Sequence, residues 1–163
     1  MFDPTTMVGF HTIISLIAIV TGIGAVLALF GLRLAPIWTQ VFLVTAIITS
    51  AGGYLLPATM ILPSHIVGAV ALVVLAGVLV ARYVGHLAGL WRWVYAGGMV
   101  ASLYFLVFVA VAQAFSKVPT LKALAPTQSE PPFAISEGIV LLIFVALGIA
   151  ALKLFRYQEA ATA

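Results

Sequence analysis

The chain has no cysteine and very few charged residues, and both absences limit what it can be. Without a thiol among its 163 residues, it can form neither a disulfide nor a thiolate metal site. Only 7% of the residues are charged, whereas a water-soluble domain commonly has about a quarter. Because 64% of the residues are hydrophobic and the mean hydropathy is +1.28, the composition predicts a protein whose solvent is lipid.

Several motifs of enzymes, transporters and nucleic-acid-binding proteins are also absent from the sequence. It has no glycine-rich phosphate loop, no His-Glu-x-x-His and no nucleophile elbow. No apolar stretch has a charged residue at mid-depth, and no inverted repeat is evident, so the usual charged relay of a pump or ion transporter is missing. The net charge of +3 comes mostly from residues that flank apolar stretches. Nucleic acid is therefore not an expected partner.

Five continuous apolar stretches occupy most of the chain. A helix needs roughly 20 apolar residues to cross a bilayer, and these stretches lack the in-out alternation of barrel strands. We therefore predict an all-α fold, a single transmembrane domain over residues 1–163 that forms a bundle of five transmembrane helices. The expected spans are about 7–32, 38–56, 64–84, 91–115 and 136–154.

Prolines punctuate the connections between these stretches. Pro63 is a suitable first residue for the third helix, because a missing N–H costs nothing in a first turn. In the long connection before the fifth helix, residues 119–124 are expected to form one interfacial helical turn. That turn would leave Lys117 and Lys122 facing water.

The distribution of basic residues predicts the orientation of the bundle in the membrane. With five spans, five of the seven basic residues fall on one side: Arg33, Arg82, Arg92, Lys153 and Arg156. Lys117 and Lys122 fall on the other side, together with Asp3, Glu130 and Glu137. Because basic loops stay in the cytoplasm, the N-terminus is predicted to lie outside and the C-terminus inside.

His11 and His65 are candidate cofactor ligands. Each is predicted near the outer end of a helix, so the two imidazoles would lie at similar depth. If the first and third helices are diagonal partners, a haem could be bound between these histidines, with Gly68 and small residues beside His11 leaving room for the macrocycle. The alternative is that both histidines are structural and hydrogen-bond a carbonyl or water at the membrane interface.

A polar pocket near the outer surface is a second hypothesis. Its candidate residues share that predicted depth and, besides the two histidines, are Thr49, Ser50, Tyr54, Ser64 and Gln113, with Glu130 as a cap from the following loop. Such a set could bind a quinone head group, a proton, or a metal ion through nitrogen and oxygen ligands. It could equally be the ordinary hydration layer of an outer membrane face.

Four segments carry a resemblance to a known group of proteins: Trp91-Arg-Trp-Val-Tyr95, Gln113-Ala-Phe-Ser-Lys-Val-Pro119, Ala125 to Phe133, and Pro63-Ser-His-Ile-Val-Gly68. Together they resemble a family of small, uncharacterised, multi-spanning bacterial inner-membrane proteins. The resemblance implies location in the bacterial inner membrane and no particular activity. A histidine followed by a small-residue helix is also loosely similar to haem-binding membrane cytochromes.

Five charge-poor helices with little chain outside the bilayer favour a non-catalytic role. We expect an accessory subunit or assembly factor of a larger membrane complex, whose partners are the lipid bilayer and either other membrane subunits or further copies of itself. The principal alternative is a small b-type cytochrome or quinone-site electron-transfer protein. A small-solute permease and a membrane enzyme are further alternatives with less support.

Overall fold

The computed structural model of the chain describes residue 3 and residues 5–31, 36–56 and 63–155. The described part is helical and contains no β-strand. Its α-helices are α1 (Met7–Leu29), α2 (Ile37–Gly52), α3 (Pro63–Leu79), α4 (Trp91–Lys117), α5 (Pro119–Leu124) and α6 (Pro131–Leu154). A 3₁₀ turn over Gly53–Leu55 extends α2, and a π-helical turn over Val80–Val84 extends α3.

All of these helices except α5 are long and apolar enough to cross a membrane, in agreement with the five predicted spans. The short helix predicted over residues 119–124 is confirmed as α5, with Lys117 and Lys122 exposed, and α3 begins at Pro63 as predicted. By contrast, α6 begins at Pro131, five residues before the expected position 136. The prolines at the start of α6 suit a first turn, where no N–H donor is needed.

Two of the basic residues used to predict the orientation, Arg33 and Arg156, lie outside the described residues.

The first four long helices form a ring of neighbours. α1 packs on α2 and α4, and α3 packs on the same two helices, so α1 and α3 lie across the ring from each other. Gly22 of α1 faces both neighbours, because a Cβ there would lie 2.7 Å from Phe42 of α2 and 2.7 Å from Leu103 of α4. α6 packs mainly on the side of α4, outside the ring. α6 is therefore a peripheral helix of the bundle.

Neighbouring helices in this bundle run in opposite directions. Phe115 near the end of α4 packs edge-to-face on Phe133 at the start of α6, with ring centroids 5.4 Å apart. Tyr95 near the start of α4 contacts Phe155 just beyond α6, at 5.7 Å. The start of each helix therefore lies beside the end of the one it packs on. We call the end of the bundle where α1, α3 and α6 begin the N-terminal end.

The connection between α3 and α4 is tightly wound. In the π turn, the Gly85 amide donates to the carbonyl of Val80 at 2.8 Å, which widens the last turn of the helix. His86 and Leu87 then both have positive φ angles, of 47° and 58°, an uncommon conformation for residues with a side chain. Burial of the Leu87 side chain accompanies this conformation. The turn brings Trp91 against Gly85, where no Cβ would fit.

Candidate functional site

Both candidate histidines lie at the N-terminal end and contact the end of α2. His11 is half-buried and lies beside two glycines: a Cβ built on Gly52 would be 3.5 Å from its Nδ1, and one on Gly53 would be 3.9 Å from its Cε1. His65, in the first turn of α3, stacks on Tyr54 with ring centroids 5.3 Å apart and planes inclined by 22°. Each histidine therefore approaches the same helix end from its own helix.

Tyr54 holds the start of α3 against the end of α2. Its hydroxyl donates a 2.5 Å hydrogen bond to the carbonyl of His65, in addition to the ring stacking. Gly68 allows this close approach, because a Cβ there would lie 3.3 Å from the carbonyl oxygen of Ser50 and 3.5 Å from the Tyr54 ring. Three residues of the predicted pocket, Ser50, Tyr54 and His65, are thus brought together around Gly68.

The other predicted pocket residues are more dispersed. Thr49 is buried on α2, and its hydroxyl has no hydrogen-bond partner among the described residues. Ser64 is half-buried in the first turn of α3. Gln113 is exposed near the end of α4, and its backbone carbonyl accepts a hydrogen bond from the Ser116 hydroxyl. These positions share the N-terminal end of the bundle with Ser50, Tyr54 and His65.

Glu130, predicted as a cap for the pocket, organises its own loop. One carboxylate oxygen accepts hydrogen bonds from the Thr127 amide at 3.2 Å and the Thr127 hydroxyl at 2.8 Å, and the other accepts from the Ser129 amide at 3.1 Å. Desolvation opposes ionisation, but these hydrogen bonds outweigh it and hold the pKa of Glu130 below its usual value. Next to this cluster, Gln128 donates to the carbonyl of Ala112 at 2.6 Å and fastens the loop to α4.

The side chains that could ligate a metal or a haem iron can be compared with the cofactor hypotheses. Within residues 3, 5–31, 36–56 and 63–155, no three His, Asp or Glu side chains cluster as metal ligands would. Haem needs only two axial ligands, and His11 and His65 are of the right type and contact the same helix end. The adjoining Gly52 and Gly53 add no side chain there. The two histidines are thus compatible in kind with a bis-histidine haem, but the space predicted beside Gly68 for the macrocycle is filled by the Ser50 carbonyl and the Tyr54 ring.

The sequence does not single out Glu137 as a site residue: it falls at the start of the fifth predicted span and counts only among the charges on the outer side. Because α6 begins at Pro131, Glu137 lies in its second turn, about 9 Å along the axis from the helix start. The residue is only 9% exposed, and neither carboxylate oxygen has a hydrogen-bond partner among the residues described. Its spacing of four and seven residues from Phe133 and Phe144, which both pack on α4, was the signal that could have indicated its burial.

The opposite end of the bundle has a cationic site. Arg82 Nη1 donates a 2.9 Å hydrogen bond to the hydroxyl of buried Tyr95, and the Arg82 guanidinium lies 5.7 Å from the centroid of the Tyr83 ring. Arg82, Tyr83, His86 and Leu87 line a shallow, open pocket. The guanidinium of Arg92 lies over the Trp93 ring at 4.8 Å. Cation–π contacts of this kind are typical of arginines at a membrane interface.

Comparison with protein families, with curated proteins and with solved structures found no match to this chain.

Proposed function

We propose that this protein is a non-catalytic accessory subunit or assembly factor that packs against the transmembrane helices of a larger membrane complex. The observation that supports this proposal is the peripheral position of α6. Two of its 24 residues, Glu137 and Ala151, are buried, whereas α4 buries eight. An entire apolar helix is thus held to the bundle mainly through α4 and presents the rest of its circumference outward.

The outward surface of α6 has small residues where a second helix would pack. Ala134 is exposed, and a Cβ built on Gly138 would have no atom within 4 Å. Leu142, one further turn along, is 70% exposed. Small residues four positions apart let two helix backbones approach closely in lipid, where van der Waals packing drives association. We therefore assign this face, defined by Ala134, Gly138 and Leu142, to a transmembrane helix of a partner subunit.

Site-specific photo-crosslinking in native membranes tests this assignment. A photoreactive amino acid at Leu142 should yield one crosslinked product of defined mass. The same amino acid at Val73, an α3 position that is 72% exposed, serves as the matched control and should yield none. A product twice the mass of the chain would identify the partner as a second copy. Equal products from both positions would contradict a specific partner at α6.

The substitution Gly138→Leu is a second test of whether a partner helix packs on this face of α6. The open space around Gly138 means that this substitution should leave the isolated bundle intact, and leucine is also the better helix former. It should nevertheless block close helix approach, so the Leu142 crosslink should disappear while the thermal unfolding temperature stays the same or rises with the better helix propensity of leucine. A crosslink that persists at full yield in Gly138→Leu would show that the partner does not pack on this face.

The orientation and location of the bundle are part of the proposal. We place the N-terminus outside, the C-terminus in the cytoplasm, and the protein in a bacterial inner membrane. Arg82 and Arg92, at the end opposite His11, support this orientation through the excess of basic residues on cytoplasmic loops. A cysteine introduced at Ser116, exposed at the end of α4, should react with an impermeant maleimide from the outside. The chain has no natural cysteine to interfere.

A small b-type cytochrome is the second candidate, because His11 and His65 contact the same end of α2. If haem is bound, these two histidines would hold the iron and the group would supply one-electron transfer. An absorption spectrum of the purified protein, oxidised and then reduced with dithionite, separates the candidates. A Soret band that His11→Ala and His65→Ala both abolish would favour the cytochrome. If the protein is colourless after expression with ample haem, the result would favour the accessory subunit over the cytochrome.

A further inference from the structure

The most unusual polar group in the described bundle is the carboxyl of Glu137. It is nine-tenths buried within a membrane-spanning helix, and both of its oxygens lack a hydrogen-bond partner among the described residues. An ionised carboxylate in such surroundings is strongly disfavoured, because it loses its hydration without gaining a counter-charge. Polar groups retained at this cost inside a membrane are usually functional.

Aromatic contacts between α4 and α6 enclose this carboxyl along the helix axis. Phe133 packs on Phe115 one turn before Glu137, and Phe144 packs on Tyr104 two turns after it, with ring centroids 5.7 Å apart. Residues 133, 137 and 144 fall on one helix face, so Glu137 points into the same α4–α6 contact. A charge formed there would lie between two apolar layers.

Among the described residues, no basic side chain hydrogen-bonds to Glu137. Of the helices that pack on α6, α4 has Tyr104 within electrostatic range of Glu137, and its Arg92 lies at the opposite end of the bundle. Lys117 lies in the last turn of α4, at the same end as Glu137, but its side chain is exposed. The only titratable residue of α1 is His11, which lies against the end of α2. α6 itself has Lys153, far along the helix from Glu137.

We propose that Glu137 is a proton-binding site inside the bundle, which carries a proton while α6 packs on α4 and whose release of that proton weakens this contact. The ligand is the proton itself, exchanged with the aqueous phase at the nearer, N-terminal end. Because the packed state favours the proton-bound acid, packing is strongest at low pH and is lost as pH rises through the ionisation of Glu137. The proposal is independent of the partner subunit assigned above.

Infrared spectroscopy of the full chain in lipid tests the protonation state directly. At neutral pH the wild-type protein should show the carbonyl stretch of a protonated carboxylic acid, shifted in heavy water and absent from Glu137→Gln. Glu130→Gln is the matched control and should retain that band, since Glu130 is hydrogen-bonded as a carboxylate. If Glu137 contributes only a carboxylate band at neutral pH, the proposal is wrong.

Hydrogen exchange measures the coupling to helix packing. In the wild-type protein, exchange of the α6 amides should accelerate several-fold in alkaline buffer relative to those of α1, after correction for the intrinsic pH dependence. Glu137→Gln has the shape and neutrality of the protonated acid, so it should fold and lose this extra acceleration. The same acceleration in Glu137→Gln would refute a role for this carboxyl in α6 packing.

Discussion

Arg82 Nη1 donates a 2.9 Å hydrogen bond to the hydroxyl of Tyr95, so a cation at the end of α3 is tied to a phenol at the start of α4. The Tyr95 side chain is 3% exposed, whereas the guanidinium reaches the surface beside Tyr83. The contact joins the buried core of the ring to the turn between α3 and α4. It also shows that an arginine that counts in the sequence only toward orientation takes part in the packing of two helices.

Tyr95→Phe removes this hydrogen bond and retains the aromatic ring. Hydrogen bonds to charged groups contribute about 1–3 kcal/mol, so we expect a loss of that size in the free energy of unfolding. Thermal or denaturant unfolding in detergent would measure it. Tyr83→Phe is the control, because the exposed Tyr83 contacts Arg82 through its ring and should lose little stability. Equal losses in the two variants would contradict a special role for the Tyr95 hydroxyl.

Gly22→Ala should destabilise the ring of helices. The added Cβ would lie 2.7 Å from both Phe42 and Leu103, and overpacking of this kind costs about 1–3 kcal/mol. Gly138→Ala makes the same chemical change in the interior of another helix, where the Cβ meets nothing. That variant should instead gain up to about 1 kcal/mol from helix propensity. The difference between their unfolding temperatures isolates the packing contribution at Gly22.

The loop before α6 should lose order in acid. Hydrogen bonds from Thr127 and Ser129 lower the pKa of Glu130, so the folded loop favours the carboxylate. The stabilisation is therefore present above the pKa of the unfolded chain and disappears as pH falls through the lower, folded value. Amide exchange at Thr127 and Ser129 should accelerate over this acidic range, after correction for intrinsic rates. In Glu130→Gln that pH-dependent step should be absent.

Tyr54→Phe should loosen the start of α3. The variant keeps the ring that stacks on His65 but removes the hydroxyl that donates to the His65 carbonyl. A neutral hydrogen bond contributes about 1 kcal/mol, so the second-turn amides of α3, the first with an acceptor inside the helix, should exchange up to several-fold faster. The amides of α6 provide the internal reference. Unchanged exchange in α3 would mean that stacking alone holds this contact.

Local patterns predicted the helical elements well. Continuous apolar stretches identified all five long helices, and proline and lysine placement identified α5 and the start of α3. The start of α6 differs from the expected position 136, because Pro131 and Pro132, which the sequence places in the long connection, form its first turn. Proline is compatible with either a connector or a first helical turn, and residue type alone does not distinguish them.

The polar residues were harder to place from the sequence. Ser50, Tyr54 and His65 meet at the α2–α3 contact, while Gln113 faces outward and Glu130 binds its own loop. All five lie at the N-terminal end of the bundle, as the sequence predicts, because the depth of a residue follows from its position along the helix. Whether they converge depends on the rotation of each helix, which nearly uniform hydrophobicity leaves undetermined.

The amino-acid sequence by itself determined that the chain has five helices long and apolar enough to cross a membrane, because hydropathy and length are sums over local residues. Only the tertiary structure distinguished Glu130 from Glu137. The first is hydrogen-bonded in a loop, and the second is buried between α4 and α6, where its oxygens have no hydrogen-bond partner in the part of the chain that the structure describes. The physical reason is that the free energy of a carboxyl group depends on its solvation and neighbours, which arise only when separate helices pack together.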